Sequence, residues 1–130
     1  MKARSKASAL LIACLLQVVM MTSCLGGVRL VEEHQSPDGK YKAELRESDT
    51  GAVGGWSSSV WVLELRPSSM ARLLRSDSRS VFGGDIRSTH VAVQWRTNAQ
   101  LEIKCTGCDP SKVALKETAW KDLSIVYEFK

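Results

Sequence analysis

Apolar and polar side chains alternate with a period of two along most of the chain after Val28, and helical spacing is scarce. Tyr41, Ala43 and Leu45 alternate with Lys42, Glu44 and Arg46. Trp61, Leu63 and Leu65 interleave with Val60, Val62 and Glu64, and Val91, Val93 and Trp95 repeat the pattern, as do Leu101 and Ile103. The last run, Leu123, Ile125, Tyr127 and Phe129, is separated by Ser124, Val126 and Glu128. Turn chemistry divides these runs. Ser36-Pro37-Asp38-Gly39 puts Pro second and Gly fourth, as a type I turn prefers. Pro67-Ser68-Ser69, Gly83-Gly84-Asp85 and Thr97-Asn98 punctuate the rest. Short strands between such turns predict an all-β domain, a single small antiparallel β-sandwich or meander of about eight strands. Two segments fit less cleanly. Residues 70–75 suit a strand or a helical turn. Asp109-Pro110-Ser111-Lys112 could open a helix, with Asp as N-cap and Pro first, although Val113, Leu115 and Ala119 suit alternation about as well and favour strand.

The first 23 residues break this pattern. Lys2, Arg4 and Lys6 come without an acid, and a mostly apolar run follows from Ala7 to Met21. That run is shorter than the ~20 residues a membrane-crossing helix needs. Basic start, apolar core and small-residue end make a secretory signal peptide. Its end, Met21-Thr22-Ser23-Cys24, resembles the bacterial lipobox, with Met21 where Leu is usual. The resemblance implies cleavage between Ser23 and Cys24 and acylation of the Cys24 thiol. A plain signal peptide with a chance thiol, or an uncleaved membrane anchor, are the competing readings. The division is then 1–23 signal peptide, 24–27 lipidated Cys and short tether, and 28–130 β-domain. In Gram-negative lipoprotein sorting an Asp after the acylated Cys retains the protein at the inner membrane; Leu25 stands there instead, which implies the outer membrane, facing the periplasm.

Composition changes the picture once the leader is set aside. The chain has 130 residues and a formal net charge of +4. Without the leader and its three bases, 107 residues carry 15 basic and 14 acidic side chains. A strongly basic nucleic-acid binder is excluded, because such a protein needs surplus cations on its folded part. A chain 44% hydrophobic and 25% charged is ordinary for a folded domain and is too short here for a multidomain enzyme.

Ser36-Pro37-Asp38-Gly39-Lys40-Tyr41 resembles the repeat of TolB-type β-propellers, and a faint echo of strand, turn and strand recurs over 93–101. A closed propeller needs at least about four blades, which this length excludes. A wider resemblance runs through Ser36-Pro37-Asp38-Gly39-Lys40-Tyr41-Lys42-Ala43, Thr50-Gly51-Ala52, Ser57-Ser58-Ser59-Val60, Val81-Phe82, Val91-Ala92-Val93-Gln94-Trp95 and Leu101-Glu102-Ile103. Their order is similar to that of a family of small bacterial envelope lipoproteins of unknown function, over roughly residues 31–129. Members often carry Cys where Thr50 stands here. The resemblance implies fold and location, and no activity.

Of four cysteines, Cys14 leaves with the leader and Cys24 is claimed by lipid, so Cys105 and Cys108 remain. In an oxidising periplasm they should pair, and Gly107 permits the tight loop. A structural disulfide in a hairpin is the favoured reading. A thiol-redox site is the alternative; such sites usually set the first Cys at a helix N-terminus, whereas Cys105 ends a strand. One Cys pair with His34 and His90 does not make a zinc site, so neither a metal nor a cofactor is expected. Glu32, Glu33, His34 and Asp38 cluster, but no nucleophile elbow or phosphate loop accompanies them, so no catalytic residue and no small-molecule substrate are inferred. Thr50, Gly51, Gly54, Gly55 and Trp56 belong to a mobile Gly-rich loop that ends in a large aromatic. It is either a long hairpin loop with Trp56 tucked on the core or a partner-binding loop. Trp61, Trp95 and Trp120 are expected in or beside the core. Arg66, Arg72, Arg75, Arg79 and Arg87 outnumber Asp77 and Asp85 mid-chain and read as a solvated face, or as a contact for anionic lipid. The expectation is a non-enzymatic, membrane-anchored domain that meets an envelope protein or serves as an envelope component. By analogy of type, an inhibitor or immunity protein is one form.

Overall fold

Alternation becomes strand because each run has one face to bury, and nine strands result among the described residues. A computed structural model describes residues 27–51, 54–65 and 77–130. The strands are β1 (Val28–Gln35), β2 (Tyr41–Asp49), β3 (Trp56–Glu64), β4 (Ser78–Gly84), β5 (Val91–Thr97), β6 (Gln100–Cys105), β7 (Val113–Lys116), β8 (Ala119–Trp120) and β9 (Leu123–Phe129). They form a five-stranded sheet in the order β1-β2-β3-β4-β7 and a four-stranded sheet in the order β5-β6-β9-β8. The domain is all-β and consistent with a small β-sandwich. One cluster unites the two sheets: Tyr41, Ala43, Leu45, Val60, Val62 and Phe82 from the first, Val91, Val93, Leu101, Ile103, Leu123 and Ile125 from the second. Burying a side chain of this size contributes about 2 kcal/mol, well above the ~1 kcal/mol or less of an exposed ion pair, so this seam dominates stability.

The count is nine rather than about eight because residues 113–120 supply two short strands. Only β1 to β4 run as a meander. The chain then crosses to the second sheet, returns for β7 and crosses again, and β6 pairs with β9 in parallel from Gln100↔Ser124 to Cys105↔Phe129. This pair departs from an antiparallel arrangement. The Asp109 signal acts, but briefly: its carboxylate accepts from Ser111 N at 2.9 Å and caps a 3-10 turn, Pro110–Lys112, which runs straight into β7. Residues 66–76, with the uncertain 70–75 segment, Arg66, Arg72 and Arg75, lie outside the described residues, as do residues 1–26.

Two connections hold the layers in register. Tyr127 Oη lies 2.8 Å from Val81 O and 2.6 Å from Glu117 O, within reach of either carbonyl for its one proton. Trp95 Nε1 donates to His34 O at 2.9 Å, fastening the second sheet to the outer edge of β1. Trp95 and Trp120 pack against the core as expected. Trp61 does not join it. Val60 and Val62 take the inner face of β3, so Trp61 falls on the outer face beside Glu44, under the Arg46 guanidinium at 4.9 Å.

Candidate functional site

The sandwich has two ends, set by the β1-β2-β3 meander. At the near end β1 begins, β2 finishes and β3 begins; at the far end lies the 36–40 turn. The Ser36 hydroxyl seals that turn by donating to Asp38 Oδ1 at 2.6 Å and accepting from Tyr41 N at 2.9 Å.

Glu47 organises the near end from inside. It follows Tyr41, Ala43 and Leu45 on the inward face of β2, and it is buried. One oxygen accepts from Ser88 Oγ at 2.6 Å and Ser88 N at 3.0 Å, the other from Arg29 at 2.9 Å. The Ser88 hydroxyl, then its N–H, then Arg29 hold this carboxyl below the usual range. Ser88 opens the 3-10 turn Ser88–His90 that leads into β5, so Glu47 ties the two sheets together. Beside it Ser58 Oγ donates to Ile86 O at 2.6 Å.

The Gly-rich stretch closes over this end. Thr50 Oγ1 donates to Gly55 O at 2.7 Å, and Asp49 Oδ1 accepts from Gly51 N at 2.8 Å. Gly51 has φ +78°, a left-handed conformation that suits glycine. A Cβ on Gly54 would fall 1.8 Å from Thr50 Oγ1, so only glycine permits this approach. The base of the loop is therefore pinned by hydrogen bonds and does not hang free; Ala52 and Val53 lie outside the described residues. Trp56 is neither tucked on the core nor carried on the loop. It is the first residue of β3, 38% exposed, with the Arg87 guanidinium over its ring at 4.7 Å.

Three exposed apolar side chains accompany it. Val28 is 69% exposed, Leu30 49% and Val31 40%, all in the first half of β1. Val28 and Leu30 stand opposite Ser48 and Arg46 on the outer face, and Val31 falls at a register shift between Leu30 and Glu32. With Trp56 they are the four exposed large hydrophobics among the described residues; Val28 and Trp56 lie at the near end, Leu30 two residues in, and Val31 level with the middle of β2. Sequence reading singled out Trp56 and missed the other three, which look like ordinary strand residues. Arg87 was legible only as one charge in a run. The closeness of Val28 to Cys24 in the chain was the available signal.

Cys105 and Cys108 also lie at this end. They are joined, with Cα atoms 5.6 Å apart. The bridge does not sit in a hairpin as expected; it spans the crossover from β6 to β7, because the partner of β6 is β9 and not the next strand. Gly107, at φ +68°, makes the loop possible. Its N–H donates to Lys130 O at 2.6 Å, Lys130 N donates to Cys105 O at 3.0 Å, and His90 Nδ1 lies 2.8 Å from Thr106 O. Cys105 is buried at the end of a strand and no helix begins at it.

Elsewhere the buried carboxylates are also ion-paired, with Glu102 Oε2 left without a hydrogen-bond partner. For Glu44 burial works to raise the pKa, and Lys42 and Arg46 outweigh it. Glu102, buried on the outer face of β6, is held low by Arg96. At the far end Lys40, then Tyr41, bring Asp122 down to about 2. His34 lies 3.5 Å from Glu32, while Glu33 pairs with Lys42 at 3.0 Å and Asp38 serves the 36–40 turn, so the acids of the cluster are drawn to separate partners. Among the described residues no three His, Cys, Asp or Glu side chains are grouped to hold a metal ion, and no helix is long and apolar enough to cross a membrane. No protein-family model, curated protein or solved structure matches the chain.

Proposed function

We propose that the chain is a lipid-anchored envelope protein, a β-domain tied to the membrane through Cys24 that acts by surface contact and not by catalysis. The observation that carries this reading is the joined Cys105–Cys108 pair, since a bond across a two-residue loop suits an oxidising compartment, the one to which the N-terminal segment would send the chain. The commitment of Glu44, Glu47 and Glu102 to ion pairs within the domain suits a contact module as well. The absence of Asp after Cys24 supports the outer membrane, with the domain in the periplasm. An envelope protein is the proposed partner class for surfaces left open to the periplasm.

The test is the mass of the N-terminal peptide of the chain isolated from membranes. A peptide that begins at Cys24 and carries a thioether-linked diacylglycerol supports the reading, and Cys24→Ala should then leave the leader uncleaved. A chain that retains Met1, or one that starts beyond Cys24 without lipid, contradicts it.

A thiol-redox role is the second reading, favoured by one observation: the His90 ring packs beside the Cys105–Cys108 loop. Alkylation after acid quenching separates the two. A fully oxidised pair supports a structural bridge, and a mixed population supports redox exchange.

A further inference from the structure

We infer that the near end of the sandwich rests on the bilayer that holds Cys24, with Val28, Leu30, Val31 and Trp56 in the interfacial layer; this deepens the anchor reading and rests on it. Val28 and Trp56 mark that end on two strands separated only by β2, and Leu30 and Val31 extend the exposed apolar side chains along β1 to the level of mid-β2. Chain length then says what covers them. Three residues separate Cys24 from Val28, four Cα steps in all, so the two Cα atoms stand no more than about 14 Å apart. The nine residues of β2 place the far end about 26 Å further along the sheet. An acylated Cys24 therefore holds the near end at the membrane surface and the far end away from it.

The side chains suit that position. Trp favours the membrane–water interface, where its ring is buried and its N–H stays hydrated. Aliphatic side chains beside it add apolar area, and binding of this kind scales with buried apolar area. Arg87, stacked on Trp56, keeps its charge at head-group level. Asp49 and Asp85 flank the same end, so the contact is apolar and aromatic before it is electrostatic. The two acyl chains of a diacylglycerol on Cys24 already supply the hold, so the protein-borne contact acts on orientation.

The molecule carries its own controls. Trp95 and Trp120 both contact Tyr41 at the far end, and Trp61 lies mid-sheet. The full-length chain is expressed with 5-fluorotryptophan, purified from membranes, and reconstituted in phosphatidylethanolamine and phosphatidylglycerol vesicles containing a nitroxide-labelled lipid. Fluorine resonances are assigned by single Trp→Phe variants; Trp56 is exposed, so its variant should fold. The expected result is loss of the Trp56 resonance with those of Trp95 and Trp120 retained. Val28→Ser with Leu30→Ser should restore part of the lost signal. An acylated chain that floats with the vesicles but keeps a Trp56 line as sharp as that of Trp95 overturns the inference and leaves the anchor standing. A Trp56 line that responds to protein concentration and not to nitroxide overturns it in favour of a second copy paired along β1. A chain without an acyl group sinks both readings.

Discussion

The two ends of the sandwich are built in opposite senses. The far end has an aromatic interior, Tyr41 between Trp95 and Trp120, and a charged exterior, where Lys40 meets Asp122 at 2.8 Å and Lys121 meets Asp77 at 2.8 Å. The near end keeps a carboxylate inside, Glu47 on Ser88 and Arg29, and shows Val28, Leu30, Val31 and Trp56 outside. Water rewards the first arrangement and penalises the second. An end that hides polar groups and exposes apolar ones is suited to a surface other than water, and it is the end nearest Cys24.

The comparison can be broken from the inside. Glu47→Ala strips the buried Ser88 N–H and hydroxyl of their acceptor, at a cost of about 2 kcal/mol, while the exposed Arg29 returns to water. Urea unfolding should show a lower midpoint. Replacing both cysteines, Cys105→Ala with Cys108→Ala, releases a short loop at the same end. Loop-closure entropy puts the loss at about 2 kcal/mol. Under the structural reading, membrane attachment survives in this variant and only thermal stability falls.

Acid separates the two ends more finely. Asp122, held near 2 by Lys40 and Tyr41, contributes stability that is fully present above its ordinary value of 3.8 and lost as pH falls through about 2. The depressed Glu47 adds loss in the same direction. Unfolding measured in steps from pH 5 to about 2 should therefore show falling stability, and Asp122→Asn should flatten part of that fall without touching the Glu47 share. The smallest effects are on the exteriors. Lys121→Ala, which removes exposed ion pairs at the far end, should leave the melting temperature unchanged within error. Leu30→Ser should do the same in solution while restoring part of the Trp56 fluorine signal of the acylated chain on vesicles, and a loss of solution stability would show that Leu30 packs within the domain.

Much of the fold was legible because burial on a strand follows the alternation directly: Tyr41, Ala43, Leu45, Leu101, Ile103, Leu123 and Ile125 all lie in the core. The 36–40 turn was legible for an equally local reason, since Pro37 and Gly39 carry their backbone preferences with them. Pairing was not. Gln100 and Ser124 become neighbours through two crossings between sheets, and alternation within a strand says nothing about its partner. The burial of Glu44, Glu47 and Glu102 was not legible either, because a charge reveals nothing of the partners that allow it to be buried. At the candidate site the sequence pointed to Trp56 and the Cys105–Cys108 pair. It missed Val28, Leu30 and Val31 because β1, as an outer strand, exposes residues that alternation would assign to a core.

Hydrogen exchange tests the contrast between the ends most directly, with the membrane-bound chain set against a chain begun at Leu25, which has neither leader nor lipid and stays off the membrane. β1 is an outer strand, so its unpaired amides exchange readily in water. The account predicts slower exchange on the membrane over 28–31 and 54–57, with 36–40 and 121–122 unchanged. Equal exchange at the near end in both chains, or protection confined to the far end, would contradict it.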